Sequence, residues 1–295
     1  MDAVLVIDKP EGLTSHDVVV GARRLLGERR IGHTGTLDPI ATGVLPLACG
    51  RATRLVRFLS ASDKQYNATI RFGFTTGTYD VSGDETSRSD TVPARDELIR
   101  ALESVRGEHL QTPPPYSAKK IGGTRAYALA RRDLPVALTP VPVTLSELRL
   151  VEYSAGCANV QLTCSSGFYV RAFAHGLGQL VGTGACLEKL RRTRSGAYTL
   201  DMAVTLERLQ DDPDRARAEA IPLELLLPEL PALHVNEEGQ RRIAHGRDVE
   251  AGNLIDAREE GNDAWVRLVG LDGALLALGT PGATRGSLHP SVVLI

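Results

Sequence analysis

Residues 30–43 read Arg30-Ile31-Gly32-His33-Thr34-Gly35-Thr36-Leu37-Asp38-Pro39-Ile40-Ala41-Thr42-Gly43. Three glycines, one histidine, three threonines and a proline surround a single carboxylate. Glycine lets a backbone turn to positive φ or approach a ligand closely. Pro39 biases the preceding residue away from helix, so Asp38 sits on an extended or turning segment. A loop built this way presents its carboxylate. Residue type alone leaves a second reading open, because aspartate before proline is common in turns.

Charge clusters around this loop. Residues 14–57 hold seven arginines against three acids, whereas residues 201–230 hold three arginines against eight acids. The whole chain carries a net charge of only −2, so a polyanion would be steered to the Asp38 region and not to the whole surface. The same arginines would also serve to solvate helix faces. Arginine outnumbers lysine by 29 to 5, a bias that genome composition alone can produce.

The 295 residues accommodate one large domain and a smaller one, with 42% hydrophobic and 24% charged residues, as in ordinary globular chains. No apolar run approaches the ~20 residues of a bilayer span. The first residues lack a basic segment, so no signal peptide is expected and the cytoplasm is the expected location. Cys49, Cys157, Cys164 and Cys186 show no C-x-x-C spacing, and the seven histidines form no H-E-x-x-H pattern. No metal site is expected. Phosphate-loop and nucleophile-elbow motifs are absent, and Gly176-x-Gly178-x-x-x-Gly182 misses the dinucleotide spacing.

Outward from the loop, Val4–Ile7 reads as a strand, and residues 16–26 as a helix capped by Thr14 or Ser15. Val44–Cys49 reads as a strand that Pro46 places at a sheet edge. Residues 52–59 read as helical. Tyr66, Ala68, Ile70 and Phe72 alternate with polar residues, the clearest strand pattern in the chain. Residues 75–92 read as a loop, 93–106 as an amphipathic helix and 127–132 as a short helix. Strands are expected at 143–153 and 159–164, and a helix at 169–181. The acidic, proline-punctuated stretch 211–231 resembles a linker. Beyond it come a short strand at 233–235, a helix near 237–245 and turn-rich β segments. Strands and helices mix without regular βαβ alternation, which favours an α+β fold.

Several side chains carry candidate chemistry. His33 could stack on a base or bond phosphate, or be a satisfied loop residue. Tyr66 offers an aromatic face and a phenol, or simple core packing. Arg171, at the start of a helix, could hold a carboxylate in a bidentate pair, keeping it ionised and aimed; alone it would face solvent. Leu187–Arg194 packs four basic residues into six positions, a plausible phosphate contact or an exposed charged strand. Asp38 has no sequence-adjacent partner for two-carboxylate hydrolysis, although Asp80 and Asp84 are available.

At these residues the chain resembles the TruB family, the bacterial tRNA pseudouridine(55) synthases, over essentially its whole length. Gly32–Gly43 resembles the family's catalytic motif, with Asp38 as its essential aspartate. Asp8-Lys9-Pro10-Glu11-Gly12-Leu13-Thr14-Ser15 resembles the Lys-Pro motif that packs beneath the site. Asp63-Lys64-Gln65-Tyr66 places Tyr66 at the active-site tyrosine. Gly167-Phe168-Tyr169-Val170-Arg171 and Leu190-Arg191-Arg192 resemble two further motifs, and Pro115-Tyr116-Ser117-Ala118 a third. One departure is visible: Thr76-Gly77-Thr78-Tyr79-Asp80 keeps Asp80 but has Gly77 where the family often has an acid.

The resemblance implies a pseudouridine-synthase core with a mixed, largely antiparallel sheet over residues 1–230. It implies a PUA-like RNA-binding module over 231–295. The implied substrate is a T-loop uridine of tRNA, flipped out before reaction. Asp38 would be the nucleophile, Arg171 its partner, and Tyr66 the stacking ring. His33, Tyr169, Asp80, Leu190, Arg191 and Arg192 would contact substrate or RNA. No cofactor, metal, guide RNA or protein partner is implied, and the enzyme would be a monomer. The lack of an extended N-terminal region also argues against a guide-dependent variant. A non-catalytic RNA binder and an RNA N-glycosylase remain as rival readings.

Overall fold

The computed structural model describes residues 1–117, 119–121, 124–125, 138–255 and 264–295. The expected helix at 127–132 and Ala118 of the Pro115–Ala118 motif lie outside the described residues.

The alternation at Lys64–Phe72 becomes β4, with Lys64, Tyr66, Ala68, Ile70 and Phe72 all buried. Its intervening residues point to the other face, as the twofold period of a strand requires. β4 lies inside the main sheet. The other strands of that sheet are β1 (Ala3–Lys9), β2 (Ile31–His33), β3 (Ala41–Cys49), β7 (Gly107–Gln111), β10 (Val141–Ser154), β11 (Cys157–Cys164), β12 (Ala185–Ser195), β13 (Tyr198–Thr199), β14 (Val204–Thr205) and β15 (Ile221–Pro222). The spatial order is β14-β1-β3-β12-β4-β11-β10-β7, with β2, β13 and β15 attached beside β3, β12 and β1. Only the β1–β14 and β3–β12 pairs are parallel, so the sheet is mixed and largely antiparallel.

Helices α1 (Ser15–Leu26), α3 (Arg95–Ser104) and α4 (Val170–Leu180) cover one face. Val18, Ala22, Leu98, Leu102, Phe173 and Leu177 pack there with Leu5, Ile7, Leu45 and Ile70. Thr14 caps α1 in a reciprocal box with Asp17, and Gly27 ends it in a left-handed turn. The short α2 (Val56–Leu59) lies on the opposite face, where Val4, Val6, Val44 and Ala48 pack with Leu55 and Leu59. β1 is therefore buried on both sides, which explains its continuous apolar run.

Three expectations are corrected. Pro46 is not at an edge: β3 has β1 on one side and β2 and β12 on the other. The Pro46 carbonyl accepts from the Thr34 amide at 3.1 Å, where β2 ends, so its hydrogen-free nitrogen falls at a gap in the ladder. Residues 75–92 are not all loop, because β5 (Phe74–Thr76) and β6 (Glu85–Arg88) form a hairpin tied by hydroxyl contacts of Thr75 with Thr86 and Ser87. Residues 211–231 are not a linker. After α5 (Leu206–Asp211), the segment forms α6 (Pro213–Ala218), then β15, which pairs with β1. Leu223, Leu226 and Leu227 are then buried against the main sheet. Its acids lie on the exposed side of these elements, and Asp212 caps α6.

β8 (Lys120–Ile121) and β9 (Thr124–Arg125) pair with each other. The last segment forms a second sheet, β16 (Ala232–His234), β17 (Val266–Val269), β18 (Leu275–Pro281) and β19 (Leu288–Val293), with α7 (Glu237–Ala244) against it. It has a core of its own around Ile243, Leu268 and Leu288. It also shares one with the main sheet: Val269, Leu275, Leu278 and Leu294 pack with Val4, Val6 and Val44. The rings of Phe58 and Trp265 meet edge to face across this junction, with Arg57 over both. Arg51 reaches the Leu294 carbonyl at 2.6 Å. Among the described residues, no helix is long and apolar enough to cross a membrane.

Ile70, fully buried in β4, tests the packing beneath the site. Ile70→Ala is expected to lower stability by about 2–5 kcal/mol, from lost burial and an unfilled cavity. The urea midpoint, followed by the fluorescence of the single Trp265, measures this.

Candidate active site

The Asp38 loop leaves β2 and returns into β3, resting on the chain that follows β1. The Ser15 hydroxyl both donates to the Leu37 carbonyl (3.0 Å) and accepts from the Leu37 amide (2.8 Å). The Gly12 amide holds the Pro39 carbonyl at 2.8 Å. The buried Lys9 ammonium donates to the carbonyls of Pro10 (2.8 Å), Leu13 (2.7 Å) and Pro39 (3.4 Å). Leu37 is buried, so Asp38 next to it is turned outward, with its side chain 34% exposed. Thus Lys9 lies beneath the loop, as its motif implied.

Arg192 supports the other side. It is 1% exposed, and its guanidinium donates to the Val44 carbonyl at 2.7 Å and the Gly35 carbonyl at 3.0 Å. Gly43 closes the loop at φ +100°, and a Cβ there would lie 2.2 Å from the Arg192 carbonyl oxygen. Only glycine fits that contact.

Arg171, in the first turn of α4, reaches Asp38 in a bidentate pair. Nε donates to Oδ2 at 2.8 Å and Nη2 to Oδ1 at 3.1 Å. Nη1 donates to the Thr78 carbonyl and Nη2 also to the Tyr116 carbonyl, both at 2.9 Å. Asp80 lies behind, its Oδ2 3.6 Å from Nε. α4 itself is seated by Gln111, whose side chain accepts from the Tyr169 amide and donates to the Tyr169 carbonyl. At Gly178 the helix touches β12 so closely that a Cβ would meet the Ala185 nitrogen at 2.1 Å.

Tyr66 is buried on β4 opposite Arg192. Burial pushes its phenol above the usual value, with the Arg192 guanidinium acting in the opposite direction. Tyr169 is likewise raised by burial. His33 ends β2, and burial, with Arg192 and His16, lowers its pKa. Its imidazole is therefore neutral at neutral pH.

Arg171 pairs with Asp38, and the Asp38 charge is near enough to Tyr66 to add to the upward shift of its phenol. RNA contact at Leu190, Arg192 and Asp80 does not fit where these side chains lie. Leu190 is in the core, Arg192 is sealed beneath the loop, and Asp80 is 3% exposed behind Arg171. Arg191 is the one residue of its motif at the surface, held by Asp8 at 2.8 Å and near Thr42. It borders a polar groove with Thr42, Asn67, Thr69, Gln161 and Lys189. By strand register this groove lies on the sheet face opposite Tyr66. Sequence reading missed Thr78 and Tyr116, which act through backbone carbonyls that no side-chain pattern reports. It also missed Lys64, buried beside Arg192 and donating to the Ser60 carbonyl at 2.5 Å. Among the described residues no cluster of His, Cys, Asp and Glu is suited to a metal ion.

The family model described as TruB family pseudouridylate synthase (N terminal domain) matches residues 23–170. The model described as tRNA pseudouridylate synthase B C-terminal domain matches residues 171–229. The chain belongs to the TruB family. It is 45% identical to the tRNA pseudouridine synthase B of Solibacter usitatus, across 100% of both chains. It is 38% identical to that of Pseudomonas aeruginosa, across 95% of this chain and 91% of the relative. Among solved structures it resembles a chain from a Cbf5-Nop10-Gar1 complex, with a TM-score of 0.76 and 25% identity, covering 100% of this chain and 85% of that one. A chain of an archaeal box H/ACA sRNP Nop10-Cbf5 complex shares the fold, with a TM-score of 0.75. The α+β architecture is thus that of a TruB-family pseudouridine synthase.

Burial lowers the Lys9 ammonium from its usual 10.5 to about 8, with Asp38 partly opposing the shift. Between pH 8 and 10.5 the unfolded chain holds this proton more tightly than the folded one. Lys9 therefore makes stability rise with pH across that window, and its contribution is least favourable below it. The urea midpoint is expected to rise more steeply with pH in the wild-type chain than in Lys9→Met. Parallel curves would remove Lys9 from the linkage.

Proposed function

We propose that this chain isomerises a uridine in the T-loop of tRNA, at position 55, to pseudouridine, with Asp38 as the nucleophile. The observation that carries this reading is the bidentate Arg171 pair, which aims a partly exposed carboxylate from an otherwise buried frame. Arg171 fixes the carboxylate's orientation with two parallel hydrogen bonds, and two of the three remaining N–H donors go to the Thr78 and Tyr116 carbonyls. Asp38 thus keeps one place and one direction as substrate enters.

The target base is stacked in its loop and has to be flipped out before its C5 can be reached. His33 enters the opened RNA loop as a neutral ring. Tyr66 lies against the flipped uracil as a neutral phenol, offering its face and its O–H. The N1–C1′ bond breaks, the uracil turns, and the C5–C1′ bond forms. C5 gives up its proton and N1 takes one. Attack by Asp38 at ribose C1′, attack at uracil C6 and a glycal route all start from the same carboxylate. The reaction is redox-neutral and its atoms balance without a second reagent.

A hydrolase would need a second carboxylate at the substrate. Asp80, the one nearest Asp38 through Arg171, is buried and occupied by Thr78, Ser82 and Arg171. That arrangement supports isomerisation over base release. We further assign residues 1–230 to catalysis and 231–295 to a PUA-like module that extends the RNA contact. The enzyme acts in the cytoplasm as a monomer, without guide RNA or protein partner.

The test is the purified chain alone with unmodified tRNA. Pseudouridine at position 55 is expected, with no free uracil. Uracil release would identify an N-glycosylase, and unchanged RNA a simple binder. Asp38→Asn is expected to abolish turnover while tRNA affinity stays within about threefold, since the lost contact acts mainly in the transition state. Normal turnover in this variant would remove Asp38 from the nucleophile role. Arg171→Lys keeps the charge but loses the planar fork, and is expected to lower kcat about 10²-fold. Single-turnover rates at saturating enzyme measure it.

A further inference from the structure

The segment that supplies two of the partners of Arg171 is itself held in an unusual way. Tyr79 adopts φ +65°, in the left-handed region that bulky side chains avoid. Its ring stacks flat on His175 of α4, with centroids 3.8 Å apart and planes within 6°. His175 is one helical turn beyond Arg171, so both side chains leave the same face of α4. The residues on either side of Tyr79 both touch Arg171: the Thr78 carbonyl accepts from Nη1 and the Asp80 carboxylate faces Nε. In an extended strand, successive groups alternate sides. The left-handed turn at Tyr79 lets a carbonyl, a ring and a carboxylate from three consecutive residues meet one helix. β12 holds the turn from outside, with the Leu187 amide donating to the Tyr79 carbonyl and the Val81 amide to the Leu187 carbonyl, each at 3.0 Å.

We propose that the Tyr79–His175 stack is a positioning element for the reaction, keeping Tyr79 in its strained conformation so that Thr78 and Asp80 hold the Arg171 guanidinium on Asp38. Neither ring touches the reacting atoms. The stack adds to the two β12 hydrogen bonds the contact that the Tyr79 side chain makes in this conformation, and without it the backbone is freer to turn towards negative φ. The Thr78 carbonyl then leaves Nη1, and the guanidinium loses the contact that sets its plane. Asp38 loses its aim, and misplacement on the order of 1 Å costs up to about 10²-fold in rate.

The proposal rests on Asp38 being the reacting group, and the experiment separates the two. Wild-type chain, Tyr79→Ala, Tyr79→Phe, His175→Ala and the double alanine variant are compared for kcat, for tRNA dissociation constant and for thermal melting. Tyr79→Ala and His175→Ala are each expected to lower kcat about 10-fold or more, with tRNA affinity within about twofold. Tyr79→Phe keeps the ring and is expected to retain the wild-type kcat. The double variant should lose no more than the worse single one, because both remove one contact. If Tyr79→Ala does not fold, His175→Ala tests the same stack from the helix. Alanine variants at the wild-type kcat, or variants that lose tRNA affinity while kcat holds, overturn the positioning role. A wild-type chain that forms no pseudouridine counts instead against the function.

Discussion

A guanidinium taken out of water has to have its donors satisfied, or it costs several kcal/mol. Arg171, 6% exposed, meets that condition with the Asp38 carboxylate, the Thr78 and Tyr116 carbonyls and the nearby Asp80. These partners belong to separate segments: the loop before β3, the hairpin after β4, and the chain following β7. One buried cation thus determines where three loops end up. Remove any partner and the others are left around an incompletely bonded charge, so the arrangement behaves as a unit. The Asp38 side chain is 34% exposed, whereas that of Asp80 is 5% exposed.

The same physics is repeated one layer down. Lys9, Lys64 and Arg192 are buried cations whose donors end on backbone carbonyls rather than on carboxylates. Cations held this way fix a backbone without cancelling their own charge. The Asp38 loop is therefore rigid and lies in a positive field, although the chain as a whole is slightly acidic. A rigid, positive surround suits a site that has to pull a nucleotide out of an RNA loop and hold its phosphates nearby. His33 and Tyr66, both near Arg192, add uncharged rings to that surround.

What was legible in the sequence follows the range of each interaction. The β4 alternation, the cap at Thr14 and the glycine-rich loop are local, and each formed where its residues predicted. Asp38, Arg171 and Tyr66 were singled out because their motifs carry a family resemblance, while residue type alone left each one open. Arg192 was misread for a physical reason. Four basic residues within six positions suggest a surface strand, but strand alternation sends Arg192 inward with Tyr66 and Arg191 outward with Asn67. Pro46 misled in the same way, since which side of a strand lacks a partner depends on where β2 stops. The supposed linker was acidic and rich in proline, yet its leucines at 223, 226 and 227 had an apolar sheet face waiting for them. Composition reports the solvent side of a segment, and here the buried side decided its fate.

The two family models meet between Val170 and Arg171, inside the first turn of α4. The structure has no seam there. α4 continues across it, and the strands on both sides belong to one sheet, with β12 inserted between β3 and β4. The consequence is that Asp38 and the arginine paired with it fall on opposite sides of the boundary, 133 residues apart in sequence. Asp38 enters from the N-terminal part, Arg171 and the buried Arg192 from the C-terminal part. β12 could not leave without opening a gap between β3 and β4 and exposing the underside of the Asp38 loop. The Asp38–Arg171 pair therefore draws on residues from both sides of the boundary, held by one continuous sheet.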